Sequence, residues 1–284
     1  LSPSSQNSIV GLKPKVGMLS RNGIVPISGT LDTPGPMART VTDAAILMDA
    51  LLGYDVLDPA AFNVNWGDNW YEKPTPNAIG GLRLGVFKSL MDSDSLYRQT
   101  VTNLKNAGAK IFEFKDPEVE QEGFLTLLNL DMKSALPEYL NTQILDTLAV
   151  TVRSVEDVVA FNQQDPDLRM PYGQERLEGI LADKTSDEEF MKIRKGLLDG
   201  GRQFFDEPWE ANQLDGILSI NNRHAGFAAT AQNPALTVPM GYRESGEPVG
   251  LTIIVRGFQI PLAFQIAYAF EALQPARKAP AGYE

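Results

Sequence analysis

Short runs rich in β-branched and aromatic residues recur along this chain, and the stretches between them carry helical spacing. GLRLGVF at 81–87, AKIFEF at 109–114, LDGILSI at 214–220 and VGLTIIVRGF at 249–258 read as strands. IVGL at 9–12, GIVPI at 23–27 and ALTVPM from Ala235 are further strand candidates, with Pro26 and Pro239 expected at an edge or strand end. Thr40 with Asp43 three residues on has the spacing of an N-cap, and Val41, Ala44, Ala45, Met48 and Leu51 then repeat at helical intervals up to a stop at Gly53. Leu96, Val101, Leu104 and Ala107 predict a helix ending near Gly108. The 115–215 region reads as mostly helical, with caps at Ser154 and at Ser186 or Asp187, and 262–274 predicts a last helix. Strands separated by helices in this way specify a layered α/β fold.

Composition removes several classes of function. The chain has 284 residues, 43% hydrophobic and 21% charged, which suits a globular core rather than disorder. It has no cysteine, so disulfides, thiol nucleophiles and thiolate metal sites are out. A single histidine, His224, rules out a histidine-rich metal site. With 25 basic and 36 acidic residues the net charge is −11, and no basic cluster suits nucleic acid. The longest apolar stretch, Ala44–Leu52, falls well short of the ~20 residues of a membrane span, and the opening LSPSSQNSIVGLKPKVG lacks a signal-peptide pattern. The compartment stays open, with the cytoplasm the slight preference. The 81–114 run is βαβ-like but lacks the glycine fingerprint of a nucleotide fold.

Few residues stand out as chemical candidates. His224 follows a strand but has no evident acid partner, and Asp32 lies among turn residues, where a turn or cap role is the default. Glu188–Glu189 read as a solvated helix face, and Trp66 and Trp70, within a surface excursion at 54–79, as a packed loop. Lys13 is either a surface or a tethered lysine. Asn221 and Asn222, directly after an apolar strand, are better placed, because side-chain amides orient polar substrates. Ser2, Ser4, Ser5 and Ser8 each need an activating base, and nothing in the spacing supplies one.

The first 53 residues resemble the amidase signature family. The matching pieces are GLKPKVG at 11–17, SRNGIVP at 20–26 and DTPGPMARTVTDAA at 32–45; Lys15 stands where the family pattern more usually has threonine. PALTVPMG, VGLTIIVRGF and LAFQIAYAFEAL extend the resemblance to the far end, and SVEDVVAFN and YGQERLE fit between. The details lean towards the peptide-amidase and acylamidase branches. The resemblance implies a large mixed β-sheet flanked by helices on both faces. It also implies hydrolysis of a carboxylic amide through a Ser–cis-Ser–Lys triad and an acyl-enzyme, with no cofactor and no metal. Pro3 takes the place of the proline that follows the family's nucleophile, which puts that nucleophile two residues before Leu1 and the rest of the triad further upstream.

Residues 1–284 are therefore expected to be the C-terminal portion of one amidase domain, with no catalytic residue among them. An upstream segment of about 200 residues is expected to cover the apolar faces and sheet edges such a portion would expose. Leu1, Ser2, Asn221, Asn222 and Phe227 are the expected substrate-pocket residues, and the Trp66/Trp70 loop and the 115–150 region the expected source of acyl preference. The expected partners are a small-molecule or peptide amide and the upstream segment, without nucleic acid or membrane, in a monomer or homodimer. The alternatives are an inactive fragment serving as a binding module, a urea-derivative hydrolase and an amidotransferase A-type subunit.

Overall fold

The computed structural model describes residues 1–67, 70–71, 78–280 and 282. It divides into two compact units, the first made of 1–20, 33–120 and 199–284, the second of 21–32 and 121–198. In chain order the first unit contains α1 (Ser2–Gln6), β1 (Val10–Lys13), β2 (Met37–Ala38), α2 (Val41–Leu51), β3 (Arg83–Phe87), α3 (Lys88–Ser93), α4 (Ser95–Asn106) and β4 (Lys110–Phe114). The second holds α5 (Phe124–Gln143), α6 (Val155–Gln163), α7 (Pro166–Arg169) and α8 (Glu175–Ala182). A long helix, α9 (Asp187–Asn212), carries the chain from one unit to the other. The first unit then finishes with β5 (Gly216–Ile220), α10 (Ala225–Thr230), β6 (Ala235–Tyr242), β7 (Pro248–Ile254) and α11 (Ile260–Leu273).

The seven strands form one mixed sheet in the order β2-β1-β6-β7-β5-β3-β4. β3 pairs parallel with β4 and β5, and the remaining pairs are antiparallel. Because side chains alternate along a strand, register sorts them into two faces. One face carries Val10, Leu12, Leu236, Val238, Leu251, Ile253, Leu218 and Leu84, all buried and all apolar. Each such side chain contributes roughly 1.5–3 kcal/mol relative to exposure. Helices α2, α4 and α11 cover this side: Ile266 of α11 lies over Gly216, and the Tyr97 hydroxyl of α4 donates to the Leu218 carbonyl at 2.7 Å. The opposite face carries the buried Ile217 and Ile254 together with Gly11, Lys13, Ala235, Thr237, Gly250, Thr252 and Ser219, a mostly small and polar set. Helix α1 lies on it, with Ser4 against Gly11 and Ser5 against Gly250.

Local chemistry explains the helix starts. Thr40 and Ser154 accept from the Asp43 and Asp157 backbone N–H groups, both at 3.1 Å, and Ser186 accepts from Glu189 at 3.3 Å. The expected GIVPI strand at 23–27 does not form. Ile24 N–H turns back to the Arg21 carbonyl at 3.1 Å, and Asp32 Oδ2 accepts from Ile27 and Ser28 N–H at 2.7 and 2.8 Å. The carboxylate satisfies the donors a strand partner would have taken, as the turn reading of Asp32 requires. In the same unit Asp131 of α5 accepts from the Ser28 hydroxyl and from Thr30 N–H, a buried anchor with no short-range signal in the sequence. Of the excursion at 54–79, residues 68–69 and 72–77 lie outside the described residues. Trp66 and Trp70 pack edge to face at 4.8 Å, and Trp70 leans on Phe264 and donates its indole N–H to Asp49 at 2.6 Å. Together with Tyr71, Tyr268 and Gln265, Trp70 lines a cavity of about 180 Å³ on the α11 side of the sheet.

Candidate active site

The polar sheet face brings several of the expected pocket residues to one place. Gly250 is the meeting point. A side chain there would come within 2.4 Å of Thr237 Oγ1 and 3.1 Å of Ser5 Cβ, so glycine lets α1 settle directly on the strands. Asn221 reaches the same residue from β5: its N–H donates to the Gly250 carbonyl at 2.8 Å, and its Oδ1 accepts from Gly250 N–H at 2.8 Å. Its backbone carbonyl accepts from the Thr252 hydroxyl at 2.5 Å. Asn221 adopts a left-handed φ of 49°, which asparagine tolerates better than most residues. The carboxamide oxygen of Asn221 is thus committed to the backbone, leaving its NH2 group as the polar handle. Asn222 is exposed, and its carbonyl accepts from Ala225 N–H at 3.0 Å at the start of α10.

Leu1 and Ser2 begin α1, where the Leu1 carbonyl accepts from Ser5 N–H at 3.0 Å and the Ser2 carbonyl from the Ser5 hydroxyl at 3.1 Å. Ser8 accepts from the Tyr242 hydroxyl at 2.9 Å. Lys13 stands opposite Ala235 on the same face and donates to the Pro14 carbonyl at 2.9 Å. Burial, reinforced by the nearby Lys15, pushes the Lys13 ammonium down to about 7. Thr237 is fully buried, and its hydroxyl has no hydrogen-bond partner among the described residues.

Phe227 sits in an aromatic stack. Its ring lies 3.9 Å from Phe204 at 9°, and Phe204 tilts towards His224, which stacks on Phe87 at 3.8 Å. His224 Nδ1 shares a proton with the Ser219 hydroxyl at 2.7 Å. Both residues are buried, so this is a satisfied core pair and not an exposed nucleophile and base. Burial drives His224 down to about 4, against the opposing charge of Asp116 and with a smaller push from Arg223. The sequence carries no signal for the Ser219–His224 pair, because a strand end and a turn bring together two residues five positions apart.

The family profile for Amidase matches residues 1–192. The chain belongs to the amidase signature family. A probable amidase of Arabidopsis thaliana is 33% identical over 99% of the chain and 56% of its own length. A crystal structure of an amidase family protein from Bacillus anthracis superposes with a TM-score of 0.90 at 31% identity, covering 98% of this chain and 56% of that one. The native peptide amidase of Stenotrophomonas maltophilia superposes with a TM-score of 0.86 at 32% identity, covering 98% and 61%. The A-type component of a glutamyl-tRNA(Gln) amidotransferase from Gloeothece citriformis is 26% identical over 95% of the chain and 60% of its length. The chain therefore spans little more than half the length of the relatives it matches. The mixed sheet flanked by helices on both faces is the arrangement expected of an amidase signature protein. Among the described residues no helix is long and apolar enough to cross a membrane.

Proposed function

We propose that this chain is the C-terminal portion of an amidase that hydrolyses a carboxylic amide to carboxylate and ammonia or amine. The observation that carries the reading is the polar sheet face under α1. Its Gly11, Thr237, Gly250 and Thr252 are small or hydroxyl-bearing and pack beneath α1, where the other face of the same sheet is apolar. The nucleophilic serine lies two residues before Leu1, and its bridging serine and lysine lie further upstream, in a segment of about 200 residues that packs with this chain. Helix α1 holds the exit from the nucleophile against β7. In the reaction the serine attacks the amide carbonyl, the lysine-linked serine relays its proton towards the leaving amine, and water then hydrolyses the acyl-enzyme. Leu1, Ser2, the Asn221 NH2 group, Asn222 and Phe227 border the acyl group.

The likeness to a peptide amidase supports hydrolysis by a single polypeptide over service within an amidotransferase, which would need partner subunits. The test is ammonia release from aryl and aliphatic amides, with intact mass after fluorophosphonate treatment. The 284-residue chain alone is expected to give neither turnover nor adduct, and the longer polypeptide to give both, with the adduct upstream of Leu1. Turnover by the 284 residues alone would overturn the assignment of the triad. In the longer protein Asn222→Ala is expected to raise KM about threefold to tenfold, the loss of one exposed polar contact. Unchanged kinetics across a panel of amides would remove Asn222 from the pocket.

A further inference from the structure

Two glycines sit inside strands where the backbone does not ask for them. Gly11 of β1 and Gly250 of β7 both lie outside the left-handed region that favours glycine. A glycine inside a strand costs roughly 0.5–1 kcal/mol relative to alanine. What requires them is α1. A Cβ on Gly11 would lie 2.0 Å from Ser4 Oγ and 2.6 Å from Ser4 Cβ, and one on Gly250 would lie 3.1 Å from Ser5 Cβ. Ser4 and Ser5 are both buried. Ser4 Cβ is fixed to the helix backbone, so no rotamer change relieves the clash at Gly11. The end of α1 is tied to the same strands: Ile9 N–H, just before β1, donates to the Ser4 carbonyl at 3.0 Å, and the Tyr242 hydroxyl of β6 donates to Ser8 Oγ at 2.9 Å. We propose that the contact between Gly11 and Ser4 sets the depth at which α1 lies on the sheet and so positions the nucleophile, which makes Gly11 and Ser4 positioning residues for amide hydrolysis.

The inference rests on the amidase reading, in which the nucleophile lies two residues before Leu1. Two residues of chain span at most about 7 Å, so α1 and the nucleophile are closely tethered. The tether is stiff at its near end. The Leu1 carbonyl accepts from Ser5 N–H at 3.0 Å, and Pro3 fixes the backbone in the first turn of α1. A shift of α1 away from the sheet therefore reaches the nucleophile with little slack. Moving reacting atoms by about 1 Å from their aligned geometry costs on the order of 10²-fold in rate. Gly11 and Ser4 act on the nucleophile and not on the acyl group, so the loss falls on kcat and leaves KM nearly unchanged. Gly11, Ser4, Ser5 and Gly250 all belong to this chain, and their contacts form without the upstream segment.

The test is a double-mutant cycle in the longer protein: Gly11→Ala, Ser4→Gly and both together, with Gly85→Ala as the control. Gly85 is also inside a strand, β3, and a Cβ there would meet Leu214, Phe114 and Ile217 at 2.5, 3.0 and 3.2 Å, none of them on α1. The kcat and KM for hexanamide and the rate of fluorophosphonate adduct formation are measured at a temperature where every variant is folded. Gly11→Ala is expected to lower kcat and the adduct rate at least tenfold, with KM within threefold of wild type. In the Ser4→Gly background, where the space is free, the same substitution is expected to cost less than threefold. Gly85→Ala is expected to lower Tm and leave kcat unchanged. Should Gly11→Ala not fold, Ser4→Thr crowds the same contact from the helix side and is expected to show the same loss in kcat. A kcat within twofold of wild type, equal losses in the two Ser4 backgrounds, or the same loss in Gly85→Ala overturns the positioning role, while turnover by the wild type upholds the amidase reading. If no amide is turned over but an adduct before Leu1 forms, and forms more slowly in Gly11→Ala, the positioning role stands and the amidase reading falls.

Discussion

Gly17→Ala is expected to destabilise the protein by roughly 3 kcal/mol, lowering Tm by about 6–12 °C for a chain of this size. Two costs add. Gly17 has a φ of 85°, in the left-handed region that costs a residue with a Cβ about 1–2 kcal/mol. A Cβ there would also lie 2.0 Å from the Ala60 carbonyl oxygen and 2.9 Å from the Phe62 ring. The first of these is backbone and cannot rotate away. The Gly17 carbonyl itself accepts from Phe62 N–H at 3.2 Å, so relieving the clash breaks the bond that seats the 58–62 segment. Phe62 in turn packs edge to face on Phe258. Gly23→Ala is the control. Gly23 has a φ of 78°, and the atom nearest its Cβ position is a flexible glutamine oxygen 4.0 Å away. It should cost only the left-handed strain, about 1–2 kcal/mol. Equal losses in urea unfolding of the two variants would refute the steric argument.

Lowering the pH from 6.5 to 4 is expected to remove about 3 kcal/mol of stability through His224 alone. The folded-state pKa is pushed down to about 4 from an ordinary 6.5, because burial disfavours the imidazolium. Above 6.5 the ring is neutral in both states and the contribution is fully present. Between 6.5 and 4 the unfolded chain takes up a proton that the native state refuses, so stability falls with pH; below about 4 both states are protonated and the loss is complete. The wild-type curve also contains the carboxylates, so the quantity to measure is its difference from His224→Asn, which removes this titration. Denaturant unfolding of both proteins across the range should show the wild type losing about 3 kcal/mol more than the variant. Parallel curves would mean that the ring is protonated in the native state and that an imidazolium, not a neutral imidazole, meets Ser219.

How much of this is legible in the sequence differs from element to element. The capped helices are, because Thr40 with Asp43 and Ser154 with Asp157 settle their hydrogen bonds within four residues. The strands at 83–87, 110–114, 216–220 and 248–254 are, because their β-branched runs leave little choice. GIVPI at 23–27 has the apolar content of a strand, while the carboxylate that ties it into a turn sits beyond it at Asp32. Asn221 stands out as polar, but the commitment of its Oδ1 to Gly250 depends on a contact 29 positions away.

The sequence by itself determined the capped helices and the long apolar strands, the amidase signature family and the absence of thiol and histidine-rich chemistry, since these follow from residue type and short-range spacing. Only the tertiary structure decided which side of each strand faces the site. A period of two leaves both faces open until the register of β1, β6, β7 and β5 is known. Once that register places Gly11, Lys13, Thr237, Gly250 and Thr252 together, one face becomes a polar floor and the other a core. Tertiary structure alone also made His224 a core residue, because burial is a property of the packed chain.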